Sequence, residues 1–242
     1  MKFYSCVAVL FLLAAGEVHA TTVFGGTLLT QANALQIESW LGESNLAFTN
    51  IFGAPDSSTL AADFHLAADG KGRTITVYEV TPTGFSSPIL IGGYDPVSWD
   101  GSLGNYITNP TDPGRTAFIF NLTTTTVQRQ NLVAQGSPGS GQYQTYDTTA
   151  SGPTFGGGWD IGVYVGGAYL FNYSYGGTSF ATDIAGVPNV SGGDQMTVQR
   201  IETFTLAADT AVPEPATVWT VFAALSIGLS GFAKRGFARR KV

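Results

Sequence analysis

The chain has 242 residues, 31 of them glycine, with one cysteine, two histidines and a net charge of −6. That length buries a sizeable core as one unit or two. The lone Cys6 excludes disulfide scaffolds and Cys-based zinc sites. Between Thr21 and Val212 five basic residues stand against fifteen acidic ones, a net −10, which excludes nucleic acid as a partner.

In chain order, residues 1–20 combine Lys2, an apolar run from Cys6 to Ala15, and small or tolerated residues at Val18 and Ala20. This is the pattern of a secretory signal helix cut between Ala20 and Thr21. Thr30 is placed to cap a helix over Gln31 to Leu41 with Leu35, Ile37 and Leu41 apolar, and Gly42 to end it. A second short helix is expected from Ser58 to His65, with Leu60, Ala61 and Phe64 on one face. Strands are expected at 46–51, 74–80, 88–91, 117–122, 161–165, 169–175 and 196–206. Turn signals separate them: Asp69-Gly70-Lys71-Gly72, the run 109–114, the run 137–141, and Ser191 to Asp194. No ten-residue helical pattern separates successive strands, so a parallel α/β fold is disfavoured. The expected class is mainly β with minor α: one antiparallel β-sandwich over 21–206 with one or two short helices. A signal helix precedes it and a transmembrane helix follows a linker at 207–211.

The last segment is tripartite. Pro213-Glu214-Pro215 precedes an uncharged apolar stretch over 216–233 and a basic tail over 234–242. Eighteen helical residues cover about 27 Å, near the roughly 30 Å hydrocarbon thickness. The basic tail predicts a cytoplasmic end, with everything N-terminal outside the cytoplasm. Residues 212–242 resemble the PEP-CTERM sorting signal of Gram-negative bacteria. The resemblance implies processing by signal peptidase and exosortase, a transient inner-membrane anchor, and delivery to the cell surface or beyond, in an exopolysaccharide setting.

A second set of words runs through the body. Phe64-His65 precedes the turn at Asp69-Gly70, and Gly92-Gly93-Tyr94 precedes Trp99. Phe118 and Phe120 alternate in one strand. Gly152-Pro153-Thr154-Phe155-Gly156-Gly157-Gly158-Trp159-Asp160 forms a loop, and Glu202 and Phe204 lie in the last strand. In this order they resemble the TLDc domain over about 36–206. The resemblance implies a β-sandwich with flanking helices. It also implies a link to oxidation resistance, which this chain would exert through a partner.

Chemistry is sparse. His65 is the one histidine after signal cleavage and stands without a Gly-x-Ser-x-Gly elbow or ligand spacing. It reads either as a family site residue near Glu202 or as a helix-end histidine bonded to the Asp69-Gly70 turn. The triple glycine 156–158 lacks the Lys-Ser/Thr successor of a phosphate loop. It reads as left-handed backbone, with Asp160 accepting backbone donors at the strand entry. No cofactor and no metal are expected. The preferred reading is a non-catalytic surface or matrix protein that binds polysaccharide or a protein partner. The alternative is a glycan hydrolase pairing Glu202 with Asp160, for which Trp99, Trp159 and the tyrosines could stack on sugar rings.

Overall fold

The computed structural model describes residues 20–57, 60–109, 116–130, 140–164, 167–176, 182–188 and 194–209. The signal segment through residue 19 and the tail with Pro213, Glu214 and Pro215 lie outside the described residues. Among the described residues no helix is long and apolar enough to cross a membrane. Thr21–Asp209 forms one compact unit.

The unit is mainly β, with two α-helices. Its strands are β1 (Thr22–Phe24), β2 (Leu46–Ala54), β3 (Thr74–Pro82), β4 (Ile89–Asp95), β5 (Asn105–Thr108), β6 (Phe118–Asn121), β7 (Thr126–Arg129), β8 (Tyr143–Asp147), β9 (Ile161–Tyr164), β10 (Gly167–Leu170) and β11 (Asp194–Ala208). The helices are α1 (Gln31–Leu41) and α2 (Leu60–Ala68). The main sheet has the order β1-β2-β11-β3-β4-β6-β7. All its pairings are antiparallel except β1 with β2, so the sheet is mixed where a purely antiparallel one was expected. The first residues of β11 also pair β10, which pairs β9, while β5 and β8 form a separate pair. Isolated bridges at Thr145–Phe155 and Phe155–Ile161 connect β8 to β9 through the glycine-rich loop.

Helix α1 follows its capping signals. The Thr30 hydroxyl accepts the Asn33 amide at 3.2 Å, and Gly42 ends the helix at φ 72°. Ala34 and Ile37 are buried, but Leu35 is 51% exposed, contrary to the expected apolar face. The buried face instead includes Glu38, whose carboxylate accepts the Leu46 amide at 2.6 Å and the Thr21 hydroxyl at 2.7 Å. The helix α2 runs three residues further than expected, to Ala68, and buries Ala61 and Phe64. Residues 58 and 59 lie outside the described residues. The expected strand at 169–175 ends at Leu170, because the amides that follow turn onto a side chain. The expected linker at 207–211 begins inside β11, where Ala207 and Ala208 pair Ala47 and Leu46.

The main sheet is buried on both faces. One face carries Leu28, Ala34, Ile37, Phe48, Ile75, Val77, Phe118, Phe120 and Phe204. The other carries Phe64, Tyr78, Ile91, Trp99, Phe155, Ile161, Val163 and Tyr175. Two bulges let the longest strands serve both faces. Ile51 is an extra residue in β2 opposite Thr203 and Phe204, and Gln199 an extra one in β11 opposite Val80 and Glu79. Each extra residue reverses the in–out alternation beyond it. Phe48 therefore joins the α1 side and Phe52 the α2 side.

Candidate functional site

The most specific word in the sequence, residues 152–160, forms a tight loop in which Phe155 and Ile161 exchange backbone hydrogen bonds of 2.8 and 3.3 Å. Phe155 is fully buried, and Gly93 opposite it must lack a side chain, since a Cβ there would meet the ring at 2.5 Å. Of the three glycines expected to be left-handed, only Gly156 is, at φ 83°. The other left-handed residue in the loop is Trp159, at φ 62°. An indole in that region costs about 1–2 kcal/mol, and such strain concentrates at functional positions. Asp160, fully buried, accepts the amides of Tyr173, Ser174 (2.7 Å) and Tyr175 (2.9 Å). Burial pushes its carboxyl up to about 7, against the pull of those three amides.

Trp159 belongs to a ladder of half-buried rings on the outer side of β5, β8, β9 and β10. Centroid steps are 5.0 Å from Tyr143 to Tyr106, 4.5 Å on to Tyr146 and 6.2 Å on to Trp159. From Trp159 they are 5.5 Å to Tyr164 and 6.5 Å to Tyr169. Tyr164 and Tyr169 stand 5.7 Å apart and within 16° of parallel. The core holds both kinds of pair: Phe52–Phe64, Phe64–Trp99 and Trp99–Phe155 cross at 75°, 78° and 83°, whereas Tyr94–Phe118 and Phe118–Phe120 lie at 35° and 55°. Edge-to-face crossing is a favoured way to fill space with rings. In the ladder the planes differ by 55° at most and by 43° or less around Trp159.

Glycines underlie these rings. A Cβ on Gly162 would lie 2.5 Å from the Trp159 Cβ, and one on Gly167 2.5 Å from the Tyr164 hydroxyl. One on Gly157 would lie 2.5 Å from the Tyr143 ring. The Tyr143 ring, the Trp159 Cβ and the hydroxyl end of Tyr164 thus lie directly against bare backbone. Tyr146, Trp159 and Tyr164, with Ala61, Ala62 and Ser151, border a groove of about 650 Å³.

His65 takes the helix-end role. Its Nε2 faces only acceptors, Thr148 O at 2.8 Å and Ser151 O at 3.0 Å, so it donates there. Its Nδ1 lies 2.7 Å from Asp69 Oδ1, and Asp69 Oδ2 accepts the Gly101 amide at 2.9 Å. Both ring nitrogens are engaged, Nε2 holding loop 148–151 to α2 and Nδ1 fixing the Asp69 carboxylate that holds Gly101. Behind them lie two buried carboxyls the sequence did not single out. Asp147 accepts the Asp100 amide at 2.9 Å, and Asp95 accepts the Gln144 amide group at 2.8 Å. Burial pushes Asp147 up to about 6. Burial and the charge of Asp147 push Asp95 well up.

Glu202 is not near His65. Its carboxylate accepts the Thr27 amide at 2.8 and 2.9 Å, the Thr27 hydroxyl at 2.9 Å and the Leu28 amide at 2.8 Å. Leu28 lies on the α1 face of the sheet, whereas Asp160 holds Tyr175 on the opposite face. The two carboxylates expected to pair are thus separated by the sheet, each saturated by backbone donors. Trp99, the other stacking candidate, is fully buried and donates to the Thr74 hydroxyl at 2.8 Å. Among the described residues no group of three or more His, Cys, Asp or Glu is placed to hold a metal ion. The ladder tyrosines left one trace in the sequence: Gly162 and Tyr164, and Gly167 and Tyr169, stand two apart and so share a strand face. No family model matches the chain, and no curated protein matches it.

Proposed function

We propose that this chain is an exported, exosortase-processed surface or matrix protein whose body is a non-catalytic, TLDc-like β-sandwich that binds polysaccharide. The observation that carries the reading is the ladder of gently tilted rings beside the groove, with Trp159 held at φ 62°. Flat apolar faces are what a sugar ring offers its C–H groups to, and an open groove admits a chain. The expected addresses support export: a signal segment ending at Ala20 and a sorting tail beginning at Val212. The compact unit, Thr21–Asp209, fits between the two cuts, and its ends are joined by the Thr22 hydroxyl donating to Asp209 at 3.0 Å.

The test is intact-mass analysis of the protein from membrane, surface and medium fractions of expressing cells, followed by co-sedimentation of the recovered protein with those cells' own polysaccharide. A species beginning at Thr21 and ending near Pro213, sedimenting with the polysaccharide, is the expected result. A full-length C-terminus retained in the inner membrane overturns the sorting reading. A processed protein that ignores the polysaccharide overturns the binding reading.

A further inference from the structure

We infer that the ladder is a stacking platform for a neutral polysaccharide chain, a statement that rests on the binding reading above and names its ligand class. Geometry supplies the stacking. Around Trp159 the planes differ by only 16° to 43°, and neighbouring centroids are 5.5 to 6.5 Å apart, about the size of one pyranose unit. Tyr164 and Tyr169 stack on each other and count as one site, while Tyr146, Trp159 and Tyr164 along the groove supply places for successive sugars. Pyranoses whose hydroxyls are equatorial present two flat C–H faces, which stack on aromatic rings. Gly162 and Gly167 keep the rings down on the sheet, because any Cβ there would push Trp159 or Tyr164 away.

Charge decides between neutral and anionic chains. Among the described residues the basic side chains lie elsewhere. Arg73 is paired with Glu43 at 2.5 Å, and Arg129 sits over Phe118 and donates to Trp40 O. Arg200 is bonded to Thr27, and Lys71 lies in the turn after α2. None borders the groove. A uronate or sulfated chain would find no counter-charge on this face and would approach a body of net −10. A neutral chain meets no such barrier. The groove's own polar groups, such as Ser151 and Thr148, supply hydrogen bonds to hydroxyls without adding charge.

The experiment is affinity electrophoresis of the full chain in detergent micelles, in native gels containing neutral polysaccharides (hydroxyethylcellulose, galactomannan, dextran) or anionic ones (polygalacturonate, alginate). The variants are Trp159→Gly, which removes the ring and the left-handed strain together, Tyr164→Ala, and Tyr169→Ala at the far end of the ladder. Thermal midpoints confirm that each variant is folded. The expected result is retardation by at least one neutral polysaccharide and by neither anionic one, weakened tenfold or more in at least two folded variants. Retardation by an anionic polysaccharide that depends on the rings overturns the neutral class while leaving the platform intact. Undiminished retardation of the folded variants overturns the platform. No retardation by any polysaccharide overturns the binding reading itself.

Discussion

Replacing Glu202 by Gln separates a structural carboxylate from a catalytic one. The side chain is 5% exposed and holds the Gly25–Thr30 segment through the Thr27 amide, the Thr27 hydroxyl and the Leu28 amide, at 2.8–2.9 Å. Gln keeps the size but has one acceptor oxygen beside an NH2 group. With its oxygen at the Oε2 position Gln still accepts both amides, while its NH2 meets the Thr27 hydroxyl, so what is lost is the charge behind those bonds. Hydrogen bonds to a charged group contribute about 1.5–3 kcal/mol, against about 0.5–1.5 kcal/mol for neutral ones. The variant should therefore lose about 2–4 kcal/mol, and its thermal midpoint should fall on the order of 10 °C. Urea unfolding at pH 7, followed by tryptophan fluorescence, measures the loss. A loss under about 0.5 kcal/mol would refute the assignment. Loss of a hydrolytic activity at unchanged stability would restore the catalytic alternative.

Stability should fall as pH rises through neutrality. Asp147 and Asp160 are pushed up to about 6 and about 7, so the folded chain holds these protons more tightly than the unfolded one. Their contribution is complete below about pH 4 and is lost as pH rises through those values; for Asp160 it is at most about 4 kcal/mol. Urea midpoints at pH 5 and pH 8 check this, and a higher midpoint at pH 8 contradicts it. Gly92→Ala should cost about 3 kcal/mol, because the new Cβ would meet the Phe120 ring and the Thr76 carbonyl at 2.3 Å. Gly42→Ala, in open space at φ 72°, should cost only about 1 kcal/mol; similar costs for the two would refute the steric argument. Arg73→Ala should change stability by less than about 1 kcal/mol in a denaturation assay, since its bond to Glu43 lies at the surface.

Local patterns carried the elements whose chemistry is local. Thr30, the run to Leu41 and Gly42 define α1 residue for residue, because caps act within one turn. Alternation located β3, β6 and β9. Strands β1, β5, β7 and β8 escaped, because none of them carries an apolar pair two residues apart like Phe118 and Phe120 of β6. The helix face around Leu35 was misjudged because Glu38, a polar residue, faces inward once it finds the Leu46 amide and the Thr21 hydroxyl.

By itself the sequence determined the segregated charges, the mainly β character and the positions of the capped helix and longest strands. All of these rest on interactions between residues near one another in the chain. Only the tertiary structure decided which carboxylates meet which donors, since Glu202 and Thr27 are 175 positions apart and no local rule relates them. It also decided that six rings from 143, 106, 146, 159, 164 and 169 share one surface. That convergence depends on strand register, on bulges that reverse a face, and on glycines that bring ring and backbone together. These are relations across the sheet, and a sequence read along its length does not contain them.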